Sequence, residues 1–194
     1  MSDPQLDQDE FSDFRESDDE WTTRVLTSGP FANLLSDWHE ARQTDSGNTK
    51  LPTTSSLTAE KMSPYLKDIS IFDYISHDEI VYRFVGTDIA ERMGHDVTGE
   101  NVLALSEGPG QSHVQKVLRR VSQTPEIVLV SYLNAYSSGR QAGVISLMLP
   151  IQGPKNAPPR IVALHRPDTV RSYLGKRAKV QIGKIVDRTI WISI

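Results

Sequence analysis

Apolar positions along this chain change their period several times, and each change marks an element. Phe31, Leu34, Leu35 and Trp38 recur at i, i+3, i+4 and i+7, which predicts an amphipathic helix running to about Arg42, with Asn33, Asp37 and Glu40 on its other face. The polar stretch TDSGNTKLPTTSS follows and ends in a short helical turn near residues 59–62, before Pro64. That tether obliges the first helix to dock back onto the core. Residues 69–75 and 80–85 are apolar, β-branched and aromatic runs separated by the turn-like Ser76-His77-Asp78-Glu79, and they predict a hairpin. Thr87 or Asp88 then caps a helix whose Ile89 and Met93 share a face, and Gly94 stops it. Ser112 and Gln115 have capping-box spacing, which predicts a helix that turns Val114, Val117, Leu118 and Val121 inward and ends before Pro125.

Two longer strands are expected over residues 126–136 and 141–151, joined by the Gly139 turn, with a fifth over 160–165. The tail alternates again at Ile190, Ile192 and Ile194, as a strand would, within this sheet or a partner's. Clustered strands around an inserted helical segment, without alternating βαβ units, indicate an α+β domain. One antiparallel sheet of five strands would carry the inserted helices on one face. The helix bearing Phe31, Leu35 and Trp38 would cover the other, or offer an interaction surface. The expected division is an acidic disordered leader (1–27), helix and linker (28–60), core (61–168) and a basic extension ending in a strand (169–194).

Charge adds one feature to this picture. Residues 1–20 hold nine acidic side chains against Arg15 alone, a balance of −8, so the net −4 leaves the remainder at +4. Seven basic residues crowd the stretch 166–188. Leader and tail could dock on each other through these opposite charges. Sparse aromatics in the tail and a pI near 5.7 argue against a dedicated nucleic-acid binder. The N-terminus has neither the basic nor the apolar region of a secretory signal, and no run reaches membrane-helix length, so a cytoplasmic protein is expected.

The series Leu35-x-x-Trp38, Leu51-Pro52, Met62-x-Pro64-x-Leu66, Tyr82-Arg83-Phe84-Val85-Gly86-Thr87, Thr98-Gly99 and Leu149-Pro150 resembles a bacterial family of compact, often stand-alone PAS proteins. The resemblance covers about residues 31–167. It implies a PAS-like fold and a non-catalytic sensor. Such a protein holds a small molecule between its helices and the inner sheet face, or holds none and acts as a ligand-free dimeric adaptor. A homodimer is expected on either reading, and a ligand would act by biasing the helical segment 88–121.

Residue chemistry narrows the ligand without naming it. The chain has no cysteine, which removes the adduct of a photoactive flavin module and the thioester of a hydroxycinnamoyl chromophore. His113 lies roughly where haem-binding PAS domains place their ligand, although the capping-box reading puts it in a solvated first turn. No cofactor is named by these residues, and the turn clusters around His77 and His95 lack metal-ligand spacing. Arg83, mid-strand, should pair with Asp88 or Asp96 or meet an acidic ligand group. The pocket set is Arg83, Phe84, Met93, Tyr132 and Met148, with Asn134 and Ser146 as further polar points in an apolar wall, or, on the other sheet face, as residues under the N-terminal helix.

Overall fold

The computed structural model describes residues 16–44, 51–124, 126–136, 138–173 and 180–194. Its centre is one antiparallel sheet. In chain order the strands are β1 (Ile69–Tyr74), β2 (Ile80–Val85), β3 (Ile127–Ala135), β4 (Arg140–Ile151), β5 (Arg160–Tyr173) and β6 (Gln181–Ile192), and across the sheet they run β2-β1-β5-β4-β3-β6. The expected five strands are therefore six. The alternating tail is β6, which pairs with β3 of the same chain, Ile190 opposite Leu129 and Ile192 opposite Ile127. β5 also runs on to Tyr173, so the expected boundary at residue 168 falls inside a strand.

Both faces of the sheet are covered, because alternate residues of its central strands are apolar on both sides. Leu129, Leu147, Leu149, Val162 and Leu164 meet the N-terminal helices, α1 (Asp18–Leu26) and α2 (Gly29–Thr44). Val130, Val144, Met148, Ile161 and Ala163 face α3 (Thr87–Met93) and α4 (Gly108–Gln123). Trp38 is fully buried and donates its indole N–H to the Pro150 carbonyl at 2.8 Å. Phe31 is buried and Leu35 half-buried on the same packing face. The stripe offered as an interaction surface is thus consumed inside the molecule. Pro52 and Thr54 lie along the end of β4, where Gln152 N–H donates to Pro52 O and Thr54 N–H to Gln152 O, and Tyr65 then donates its hydroxyl to Asp37 of α2.

The end of the expected disordered leader is folded. Ser17 and Glu20 form a reciprocal capping box, a Ser-x-x-Glu signal ahead of Trp21, and α1 follows with Trp21 and Val25 buried. Arg188 of β6 donates to the carbonyls of Glu16 (2.7 Å) and Ser17 (3.4 Å), approaches the Asp18 carboxylate at 3.3 Å and lies over the Trp21 ring. Among the described residues leader and tail meet at Arg188, and residues 1–15 and 174–179 lie outside the described residues. No helix among the described residues is long and apolar enough to cross a membrane.

Candidate functional site

The candidate site is a cavity of about 50 Å³ between α3, α4 and the inner face of the sheet. Strand alternation builds its floor. Val130, Tyr132 and Asn134 of β3 project from one face, Val144 and Met148 from β4, and His165 follows Ile161 and Ala163 on β5. The helices close it with Ile89, Arg92 and Met93 from α3 and with His113, Val114 and Val117 from α4. An apolar cavity of roughly 150 Å³ admits benzene. The free volume here suits a molecule of only a few heavy atoms, with Met93 and Met148 as walls that can repack around something larger.

α4 begins earlier than Ser112. Glu107 precedes its first residue, Pro109 sits in the first turn, and Gln115 donates to His77 O and Asp78 Oδ1 instead of closing a capping box. Gly110 lies so close to β6 that a Cβ there would stand 2.3 Å from the Gly183 carbonyl oxygen. With five extra residues on the helix, His113 leaves the first turn and lines the cavity, its Nε2 within 3.2 Å of Thr189 Oγ1. Desolvation and the neighbouring Lys116 charge hold its pKa below the ordinary histidine value. The space beside it is far short of a porphyrin.

A chain of polar groups crosses one end of the cavity floor. Tyr132 Oη lies 2.6 Å from Ser146 Oγ, which lies 2.6 Å from His165 Nδ1, and His165 Nε2 lies 2.7 Å from Ser70 Oγ. Tyr132 Oη is itself 3.2 Å from His165 Nδ1. Burial, aided by the Arg92 charge, pushes His165 down to about 3, so its imidazole is neutral at physiological pH. A neutral ring donates from one nitrogen and accepts at the other. The chain therefore runs in one of two senses, leaving Tyr132 either a hydroxyl proton or an oxygen lone pair to present to a ligand. Burial also raises the Tyr132 and Tyr82 hydroxyl pKa values, so both remain protonated.

Arg92 borders this chain. Its Nη1 donates to Asp68 Oδ1 at 3.1 Å and its Nη2 to the His165 carbonyl at 3.3 Å. Asp68 is buried and is also held by Arg166 at 2.5 Å. The turn Leu66–Asp68 is brought in by Gly86: its N–H donates to Ile69 O, and a Cβ on it would stand 2.3 Å from Lys67 O.

Of the expected pocket set, Met93, Tyr132 and Met148 meet at the cavity. Arg83 and Phe84 do not. The β1–β2 register pairs Ile71 with Phe84 and Phe72 with Tyr82, so Arg83 is the extra residue of a β-bulge. The bulge keeps Tyr82 on the cavity side, turns Phe84 to the opposite core and leaves Arg83 exposed. The expected carboxylate partners are otherwise engaged, Asp88 by Lys67 at 2.7 Å and Asp96 by the N–H and hydroxyl of Thr98. Two residues that sequence reasoning passed over, Arg92 and His165, take the central places. Each had a signal: Arg92 is three positions after Ile89 on the buried side of α3, and His165 continues the Ile161, Ala163 alternation.

Among curated proteins no sequence match was found. Three solved structures illustrate the structural likenesses. VqmA bound to DPO is 18% identical with a TM-score of 0.44, over 58% of this chain and 58% of that one. The PAS domain of an HTR-like protein from Haloarcula marismortui is 18% identical, TM-score 0.41, over 56% and 93%. A fungal LOV domain photoreceptor is 16% identical, TM-score 0.43, over 76% and 99%. This chain thus spans little more than half of the VqmA chain. Superpositions this loose carry no weight; the model of the PAS domain family, which matches residues 26–165, does. The chain belongs to the PAS domain family.

Proposed function

We propose that this protein is a sensory regulator that takes a compact small molecule into the cavity beneath α3 and α4 and signals without catalysing a reaction. The observation that carries this reading is the Tyr132–Ser146–His165 chain at one end of a largely apolar space. A few convergent polar groups in an apolar wall are what orient a small ligand. Occupancy would bear on α4, whose contacts with β6 (Gly110 on Gly183, His113 on Thr189, Arg120 over Trp191) lead away from the cavity. On this reading the protein works in the cytoplasm, as a homodimer.

Native mass spectrometry of the intact chain as purified tests the proposal. The expected result is a small added mass that leaves on mild activation and is absent from a Val130→Phe variant, whose ring fills the cavity. A clean apo mass, together with a Val130→Phe protein at least as stable as the parent, would overturn it in favour of the ligand-free dimeric adaptor.

A further inference from the structure

We propose that the cavity is built for a compact monocarboxylate, with Arg92 as the group that receives its charge. This rests on the reading that the cavity takes a ligand, and it adds the ligand's sign. Among the described residues no aspartate or glutamate lines the cavity, and Arg92 is the only one lining it that is charged at neutral pH. The two lining histidines, His113 and His165, are both held below the ordinary histidine value.

The Arg92 charge is only partly answered by protein. Its one carboxylate partner among the described residues, Asp68, stands 3.1 Å away and is shared with Arg166 at 2.5 Å, so two cations divide one buried anion. Arg166 is the more exposed of the two, at 41% of its side chain, whereas Arg92 is 22% exposed and lines the cavity. A guanidinium carries five N–H groups, and the bonds to Asp68 and the His165 carbonyl use two. The remaining donors, in a planar fork, match the two oxygens of a carboxylate. Tyr132 adds a hydroxyl when the polar chain runs from Ser70 toward it. Against a cation the same arrangement is repulsive, and a neutral amide forfeits the charge-assisted part of each bond.

The test uses the full chain and three short probes, propionate, propionamide and propylamine, which share a hydrocarbon body and differ in charge. Binding is read from the methyl resonances of Met93 and Met148, which report the cavity and not the surface. Affinities of order millimolar are expected for so few atoms. The expected outcome is propionate binding about tenfold or more tighter than propionamide, with no shift from propylamine. In Arg92→Gln the preference for propionate over propionamide should vanish, while Asp68 keeps Arg166 as its partner; Arg92→Lys should retain part of it. Equal binding of acid and amide by the parent protein would overturn the assigned charge while leaving the ligand-binding proposal standing. Methyl groups unmoved by all three probes would also overturn it, and the native mass measurement then decides separately whether the cavity takes any ligand.

Discussion

The indole N–H of Trp38 donates to the carbonyl oxygen of Pro150 at 2.8 Å, across 112 positions of sequence. It ties α2 to the end of β4, and both groups are fully removed from water. Trp38→Phe keeps most of the packing and strands the carbonyl, so a loss of about 1–3 kcal/mol is expected. Trp38→Ala adds a cavity and should cost about 3–5 kcal/mol. Urea unfolding, with an unchanged slope, measures both. An alanine variant no worse than the phenylalanine one would remove α2 from the core.

Gly110 and Gly183 set the distance between α4 and β6. A Cβ at Gly110 meets the Gly183 carbonyl at 2.3 Å, a backbone atom that cannot swing aside. Gly110→Ala should therefore move the helix and cost roughly 2 kcal/mol or more, despite alanine's better helix propensity. A stability gain instead would show the contact to be loose.

His165 makes stability depend on pH. Its folded value is about 3 against an ordinary 6.5, so between those limits the unfolded chain binds a proton that the native state refuses. Stability then rises with pH across that window and falls on acidification below about 6.5. His39 and His113, also held low by desolvation, act in the same sense. Between pH 5 and 7, His165→Gln should flatten the slope by up to about 1 kcal/mol per pH unit. A variant with the parent's slope would mean that native His165 titrates normally.

Arg188 holds the start of α1 through two carbonyls and the Trp21 ring. Arg188→Met should destabilise the chain by about 2 kcal/mol and raise amide exchange first in residues 18–26. Ser17→Ala, which removes the cap, should act on the same segment at about 1 kcal/mol. Uniform exchange changes across the sheet would argue against α1 as a separate unit of opening.

Local chemistry in the sequence determined most of the elements. Period-two runs made β1 to β5, the Phe31–Trp38 stripe made α2, and Gly94 ended α3, because steric preference and one-sided burial act over a few neighbouring residues. The order of motifs also pointed to the PAS family. Ser17-x-x-Glu20 and the Pro109 helix start were legible as well, but a more prominent pattern, the acidic run or the later capping-box spacing, competed with each. Pairing alone decided the rest. The register that makes Arg83 a bulge belongs to two strands jointly, and it moved the expected arginine out of the site. His165 meets Ser146 because β5 lies beside β4, and Ser70 because β5 also lies beside β1. The tail joined this sheet because β3 had a free edge for it. Contacts between residues dozens of positions apart depend on the burial and hydrogen-bonding needs of the whole sheet, which no local window of sequence contains.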